Sequence, residues 1–164
     1  MTNDLPEGLI AGPGAWAEAI RAAFQAAHSR QWRIVCLADD RFDGWPLGET
    51  AVVATLTEWA LGGGQLQLLA RDFAPLIRQA PRFVQWRRTF DHRVEARVLP
   101  RSFAQEIRVA VATPDWTLVT VNREQWRGVA SAEAADRAQS RQWWDSAWPM
   151  GLPGFPATTL GLSG

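Results

Sequence analysis

Lysine and tyrosine are absent from the 164-residue sequence, and cysteine and histidine are scarce. Without lysine the chain has no Schiff-base lysine, no phosphate-loop lysine and no catalytic histidine–lysine pair. The single cysteine, Cys36, excludes a disulfide within this chain and every multi-cysteine zinc or iron–sulfur site. Any chemistry would have to use carboxylates, arginine, serine or threonine, or one thiol, and we predict no catalytic residue.

The residues that commonly bind metals are also badly spaced for that purpose. His28 and His92 are far apart in the sequence, and neither has a cysteine or a pair of acids at ligand spacing. The acidic stretch that begins at Asp39 resembles a calcium loop, but Arg41 and Thr50 occupy positions that need oxygen ligands. We therefore interpret this stretch as a polar loop and predict no metal and no cofactor.

All the basic residues except two histidines are arginine, and 17 arginines balance 17 acidic residues. This balance argues against a protein that binds nucleic acid by neutralising phosphates, so we do not expect a nucleic-acid partner. Residues 71–108 nevertheless hold nine arginines against four acids. That local excess is typical of a solvated charged face or of a phosphate-binding groove, and the solvated face is the favoured interpretation.

Long apolar runs are missing as well. The first ten residues have no basic region followed by an apolar stretch, so we do not expect a signal peptide. No window reaches the length that is needed to span a bilayer. We expect no membrane partner, a cytoplasmic location and a reduced Cys36.

The apolar periodicity predicts alternating helices and strands. In the first half, the predicted elements are a helix over 14–29, a strand over 32–38, a helix from 49 to the glycines at 62–64, and a strand over 66–69. A helix that Pro81 interrupts then begins at Asp72, and strands follow around 94–98, 107–111 and 116–121. Ser131 caps a last helix, which has Glu133 in its first turn and ends near Trp148. Alternation in the first half favours a parallel sheet with helices on both faces, and the later strands favour a hairpin. We predict a three-layer α/β/α fold with a mixed, mostly parallel sheet. Residues 1–148 form one domain, and residues 149–164 form an irregular tail rich in proline and glycine.

Several stretches of the sequence together have a recognisable pattern. They are the strand Trp32–Leu37, the loop Phe42-Asp43-Gly44, the pattern ALGGGQLQLLARD at Ala60–Asp72, and the stretches Phe83–Arg88 and His92–Pro100. With the predicted element order, they resemble one half of the phospholipase D fold. The last two are similar to a bacterial family of unknown function that is associated with GNAT-type acetyltransferases. The resemblance implies a phospholipase-D-like domain and an acetyltransferase partner. It also implies a homodimer, because such domains work as two halves placed face to face.

The catalytic motif of that fold is HxKxxxxD, in which the histidine attacks phosphorus and the lysine stabilises negative charge. In the corresponding stretch of this sequence, Glu106 stands at the nucleophile position, Arg108 at the lysine position and Thr113 at the aspartate position. No register supplies a histidine–lysine pair. The resemblance therefore implies an inherited fold with a degenerate site.

Charged residues follow two neighbouring strands of the predicted sheet. Asp39 and Asp40 follow the first strand, and Arg71 and Asp72 follow the second. Because ligands of open parallel sheets bind outside the carboxyl ends of the strands, we predict a pocket at this rim with Trp45 as one wall. The structural alternative is that Asp72 caps a helix and that an aspartate and an arginine form a surface pair.

Ten tryptophans are present, and they are densest near the carboxyl terminus. Trp143, Trp144, Trp148 and Phe155 are candidates for a partner interface, since large aromatic side chains concentrate in interface centres. The alternative is that this part of the chain folds back and closes its own core.

Two functions from different classes follow from these observations. The first is a non-catalytic binding or regulatory module, accessory to an acetyltransferase. The second is a divergent phosphodiesterase-type enzyme that uses Glu106, Arg108 and the rim formed by Asp39 and Asp40. Convergence of these side chains in one open cleft would favour the enzyme.

Overall fold

The computed structural model describes residues 5–157, which contain both helices and strands in alternation. The helices are α1 (Pro13–Ser29), α2 (Thr50–Leu61), α3 (Ala74–Gln79), α4 (Pro81–Thr89) and α5 (Ala134–Ala147), with short 3-10 turns at Pro46–Gly48, Asp91–Arg93 and Trp148–Met150. The strands are β1 (Gly8–Ala11), β2 (Ile34–Ala38), β3 (Gln65–Ala70), β4 (Val94–Val98), β5 (Val109–Ala112), β6 (Thr117–Asn122), β7 (Arg127–Ser131) and β8 (Leu152–Pro153).

The strands form one eight-stranded sheet in the order β1-β7-β6-β5-β2-β3-β4-β8. The pairs β2–β3 and β3–β4 are parallel, and all the other neighbouring pairs are antiparallel. The prediction of an α/β fold with a mixed sheet is therefore confirmed, but the expectation of a mostly parallel sheet is wrong. Short turns join β5, β6 and β7 into an antiparallel meander, and β1 and β8 add to the two edges in the antiparallel sense.

Helices cover both faces of the sheet. In the middle strand β2, Val35 and Leu37 face a core that includes residues of α1 to α4, whereas Cys36 and Ala38 face a smaller core against α5. Strands that are buried on both faces have apolar residues at successive positions, which is why β2 is a continuous apolar run. The smaller core is centred on Trp144 of α5.

Local sequence signals explain where the helices lie. Trp16, Ile20 and Phe24 of α1 are fully buried at the helical spacing of the predicted apolar stripe. Pro81 separates α3 from α4, since proline cannot supply the N–H that a continuous helix requires. Asp72 accepts a hydrogen bond from the backbone N–H of Ala74 at 2.9 Å, so it stabilises the start of α3.

The start of α5 differs from the prediction by a few residues. Ser131 is the last residue of β7 and not the cap of the helix, and Glu133 precedes the first turn instead of lying in it. The Ser131 hydroxyl accepts from the N–H of Glu133 at 3.0 Å and donates to Asp136 at 2.6 Å. The serine therefore stabilises the strand-to-helix connection from its strand side.

The segment after residue 148 belongs to the domain. Leu152 and Pro153 form β8, which pairs with Val98 and Arg97 of β4. Phe155 is buried in the larger core, and its carbonyl oxygen accepts a hydrogen bond from Arg87 Nε at 3.1 Å. The predicted tail is therefore wrong for residues 149–157, which pack on the domain. The rest of the predicted tail, 158–164, lies outside the described residues.

The helices of residues 5–157 do not have the combination of length and apolar character that crossing a membrane would require. The cytoplasmic location stays a prediction.

Candidate ligand-binding cleft

A cleft with a volume of about 670 Å³ lies at the carboxyl ends of β2 and β3. Because β5 runs antiparallel to β2, the segment that leads into β5 lies beside the end of β2. The end of β6 and the turn after it complete the wall. The lining residues are Asp40, Arg71, residues 104–108 and residues 119–124. The structure thus brings Asp40 and Arg71 of the predicted rim together with Glu106 and Arg108, the two positions compared with the phospholipase D motif.

Arg71 fastens one wall of the cleft. Its guanidinium donates to the carbonyl oxygens of Phe103 at 3.0 Å and Gln105 at 2.6 Å. Its Nε lies 3.7 Å from Oδ1 of Asp40. Since these contacts join the ends of β2 and β3 to the loop before β5, Arg71 holds the segment that carries Glu106 and Arg108.

Glu106 and Arg108 are the chemically available groups of this wall. Both side chains are exposed, while Ile107 between them is buried, so the alternation places the two charged residues on the same side of the chain. Within the described part of the chain, neither side chain has a hydrogen-bond or ion-pair partner. This wall therefore presents one carboxylate and one guanidinium that a ligand can engage, and Glu124 adds a second exposed carboxylate from the turn after β6.

Asp39 does not line the cleft but lies buried behind it, with 3% of its surface exposed. Its Oδ1 accepts from Arg123 Nε at 2.7 Å, and its Oδ2 accepts from the N–H of Phe42 at 2.8 Å. Burial raises the pKa of Asp39 above its ordinary value, and the contacts with Arg123 and with the backbone oppose that rise. Asp39 thus supports the cleft wall from inside.

Arg123 is a residue of the cleft that the sequence did not indicate. Beside its bond to Asp39, its Nη2 donates to the carbonyl oxygen of Asp43 at 2.6 Å. Its guanidinium lies 3.8 Å from the ring centroid of Trp126, which is a favourable cation–π geometry. No spacing signal could have found this pair, since Asp39 and Arg123 are 84 residues apart.

Backbone conformations around this ion pair are unusual. Phe42 and Trp126 have φ angles of 56° and 54°, in the left-handed region that non-glycine residues seldom adopt. Gly44 has φ of 80°, and a Cβ there would come within 2.7 Å of the Trp126 ring. Strained residues of this kind persist where the surroundings fix them, so the loop after β2 and the turn after β6 are held in one arrangement.

Three other predicted positions lie away from the cleft. Trp45 is buried in the larger core, 4.8 Å from Phe42 between ring centroids, so it is not a wall of the cleft. Asp72 accepts from the N–H of Ala74 at the start of α3, which is close to the structural alternative, although Phe73 and not Asp72 is the N-cap residue. Thr113 follows β5 at the end remote from Arg108, and its hydroxyl donates to the carbonyl oxygen of Trp116 at 2.7 Å. The three positions compared with the phospholipase D motif are therefore not brought together.

The four aromatic residues that were candidates for an interface do not form one exposed patch. Trp144 is 1% exposed and donates from Nε1 to Gln67 Oε1 at 3.0 Å. Trp143 and Trp148 pack around it in the smaller core, whereas Phe155 is buried in the larger core on the other face. The chain closes its own core with these residues, as the alternative interpretation held.

Metal ligands are not gathered anywhere in residues 5–157. That part of the chain contains no group of three histidine, cysteine, aspartate or glutamate side chains placed to hold a metal ion.

The fold and site define an α/β domain with a charged cleft, and sequence comparison identifies its family. Residues 16–155 match the model of a family described as a domain of unknown function, DUF7931. The chain therefore belongs to the DUF7931 family. A comparison with curated proteins found no match.

The fold is similar to that of TrmBL2, an archaeal chromatin protein whose structure is described as showing a novel mode of DNA binding. The TM-score is 0.62 at 9% sequence identity, over 92% of this chain and 56% of that one. This chain thus spans little more than half of that protein, and the likeness is one of fold. The similarity contradicts our expectation that nucleic acid is not a partner, because balanced net charge is not a ground for excluding it in such a fold.

Proposed function

We propose that this domain is a non-catalytic binding module whose cleft takes a small ligand that carries both a cationic and an anionic group. The observation that carries the proposal is the pair Glu106 and Arg108, exposed on one side of the same segment and without partners within residues 5–157. Opposite charges so placed recognise opposite charges on the ligand.

Of the other charged groups that line the cleft, Glu124 is exposed and has no partner within residues 5–157, whereas the two remaining arginines hold the walls. Arg71 is bound to loop carbonyl oxygens and lies near Asp40, and Arg123 is bound to Asp39. Held walls reduce the entropy that is lost when a ligand binds, which favours a recognition site. Glu106 and Arg108 therefore supply contacts on one wall, Arg71 holds the segment that carries them, and Arg123 holds the other wall against Asp39.

The enzyme alternative, a divergent phosphodiesterase, needs a nucleophile and a base within reach of each other. Of the residues assigned to it, Asp39 is buried and bonded to Arg123, so it is not available as a base in the cleft. We expect no hydrolysis of bis(p-nitrophenyl) phosphate by the purified protein. Turnover that disappears in Glu106→Gln would establish the enzyme instead.

A thermal-shift screen tests the binding proposal, since a ligand that binds the native state raises its apparent stability. The probes are the free amino acids as small zwitterions, inorganic phosphate as an anion and putrescine as a cation. We expect a zwitterion to stabilise the protein, and the effect to be lost in Glu106→Gln and in Arg108→Gln. Arg127→Gln, an exposed charge change on β7, is the matched control. Stabilisation by the same zwitterion that persists in both cleft variants would contradict the proposal.

A second candidate function, nucleic-acid binding, is supported by the similarity of fold to a DNA-binding protein. Arg101 and Arg108 support it as well, because both are exposed on the segment between β4 and β5 and have no partner within the described residues. Fluorescence anisotropy with duplex DNA over a salt series tests it. Binding that weakens in Arg101→Gln and Arg108→Gln and has a reduced salt slope would support this function, and binding that neither variant changes would contradict it.

The relationship to the phospholipase D fold stays part of this proposal. It is supported by the order of the first three β–α units and by the position of residues 106–108 beside the carboxyl end of β2. The acetyltransferase partner and the homodimer depend on the same resemblance and stay predictions. Light scattering coupled to size exclusion tests the homodimer, and a monomer at all micromolar concentrations would contradict it.

A further inference from the structure

A second cavity lies at the amino ends of the parallel strands β2, β3 and β4, opposite to the end that carries the ligand-binding cleft. Its volume is about 440 Å³. Arg33 immediately precedes β2, Gly64 precedes β3 and Arg93 precedes β4, and all three line it. Because these strands are parallel, the cavity and the ligand-binding cleft are separated by the full length of the strands.

Two tryptophans form a fixed wall of this cavity. Trp59 donates from Nε1 to the carbonyl oxygen of Trp32 at 2.8 Å, which holds both residues in place. A Cβ at Gly64 would collide with the Trp59 ring, so glycine is required for the chain to pass this close to the indole. The cavity is therefore a built feature and not a gap between mobile side chains.

Arg93 is incompletely satisfied in this cavity. Its Nη1 donates to the carbonyl oxygen of Gly63 at 3.4 Å, while its Nε is buried and has no hydrogen-bond partner. A buried donor on a charged group that lacks an acceptor is costly. Because only Nη1 donates, the side of the guanidinium formed by Nε and Nη2 has no hydrogen-bond partner among the described residues. This side of an arginine can bind a carboxylate or a phosphate with two parallel hydrogen bonds.

The charges that line the cavity favour an anion. Arg33 is exposed and, among the described residues, has no side-chain partner. The carboxylate of the lining, Glu58, lies 3.7 Å from His28 Nε2. The guanidinium groups of Arg33 and Arg93 are thus available to a ligand, whereas the one carboxylate of the lining, that of Glu58, faces His28. The charge that a ligand meets in this cavity is therefore mainly positive.

We propose that this cavity is a binding site for a small anion with phosphate or carboxylate oxygens, held by Arg33 and by the side of Arg93 formed by Nε and Nη2. The tryptophan wall accommodates the uncharged part of such a ligand. The site is independent of the cleft that contains Glu106 and Arg108.

The test is a titration of the full chain, labelled with nitrogen-15, followed by the arginine Nε–H and tryptophan indole N–H signals. The probes are inorganic phosphate and succinate, with potassium chloride at matched ionic strength as the reference. We expect a saturable shift of the Arg93 Nε–H signal with at least one probe and not with chloride. Succinate alone would identify a carboxylate ligand, and phosphate alone would identify a phosphate ligand.

Variants separate this site from the cleft. Arg33→Gln and Arg93→Gln should each weaken binding by roughly tenfold or more, as the loss of a hydrogen bond to a charged group predicts. Arg33 is exposed, so its variant is informative even if Arg93→Gln fails to fold. Arg108→Gln and Arg127→Gln should leave the affinity unchanged. Absence of a saturable shift with both probes would overturn the proposal, and so would binding that Arg33→Gln leaves intact or that Arg108→Gln abolishes.

Discussion

The partly buried Arg123 and the buried Asp39 form an ion pair, with Nε and Oδ1 2.7 Å apart, that joins the end of β2 to the turn between β6 and β7. The aspartate also accepts a backbone hydrogen bond from Phe42, and the guanidinium stacks on Trp126. The pair therefore fixes two segments that are distant in sequence, and these segments form one side of the ligand-binding cleft. Its integrity determines the shape of the cleft.

Replacement of Arg123 by methionine is expected to destabilise the protein by about 3–5 kcal/mol, because it leaves Asp39 buried without a partner. Urea denaturation at neutral pH measures the free energy of unfolding. Arg127→Met, an exposed neighbour on β7, is the control and should change it by less than about 0.5 kcal/mol. Equal effects of the two substitutions would show that the ion pair does not fix the fold.

The cost of losing Arg123 should depend on pH in a defined direction. Burial already raises the pKa of Asp39, and removal of Arg123 removes a cause that opposes this rise. The folded variant then holds a proton that the unfolded chain releases above the ordinary aspartate pKa of about 3.9. The destabilisation should therefore be smallest below that pH and grow as pH rises. Free energies of unfolding of the variant and the wild type, measured from acid to neutral pH, check this, and a difference that shrinks with rising pH would contradict it.

Phe155 should contribute strongly to stability although it lies close to the carboxyl terminus. Phe155→Ala removes a buried ring of the larger core, which typically costs about 3–5 kcal/mol. Met150→Ala, which truncates an exposed side chain of the same segment, should cost less than about 0.5 kcal/mol. Thermal and urea denaturation compare the two variants. If Phe155→Ala is as stable as Met150→Ala, the segment does not pack as described.

Cys36 should be unreactive in the folded protein. Its thiol is buried in the smaller core, and burial raises its pKa to about 11. Because the thiolate is the reactive form, a thiol reagent such as Ellman's reagent should react slowly at pH 8 and rapidly after denaturation. Fast modification of the native protein at that pH would mean that the strands around β2 open readily.

Local patterns predicted most of the first half of the fold. The apolar stripe of α1 and the break at Pro81 are properties of short windows of sequence, and the structure has both. The edge strands β1 and β8 were missed for a physical reason. Gly8–Ala11 and Leu152–Pro153 are too short for a periodic signal, and their strand geometry comes from pairing with β7 and β4.

The cleft was predictable in part. Asp40 and Arg71 follow adjacent parallel strands, and that order alone places them at one edge of the sheet. The contributions of Arg123 and of the loop before β5 depend on how the antiparallel strands fold back beside β2, which no local pattern specifies. Trp45 was misassigned because an aromatic residue in a loop can face a cleft or the core, and here Trp16 and Phe42 surround it in the core.

The most direct test of the binding proposal is an isothermal titration of the protein with the free amino acid that stabilises it most. We expect saturable binding that weakens by roughly tenfold or more in Glu106→Gln and in Arg108→Gln, since each removes one charged contact. The affinity should be unchanged in Arg127→Gln and in Arg33→Gln, which lie outside the cleft. Binding that both cleft variants retain at wild-type affinity would contradict the assignment of this cleft as the functional site.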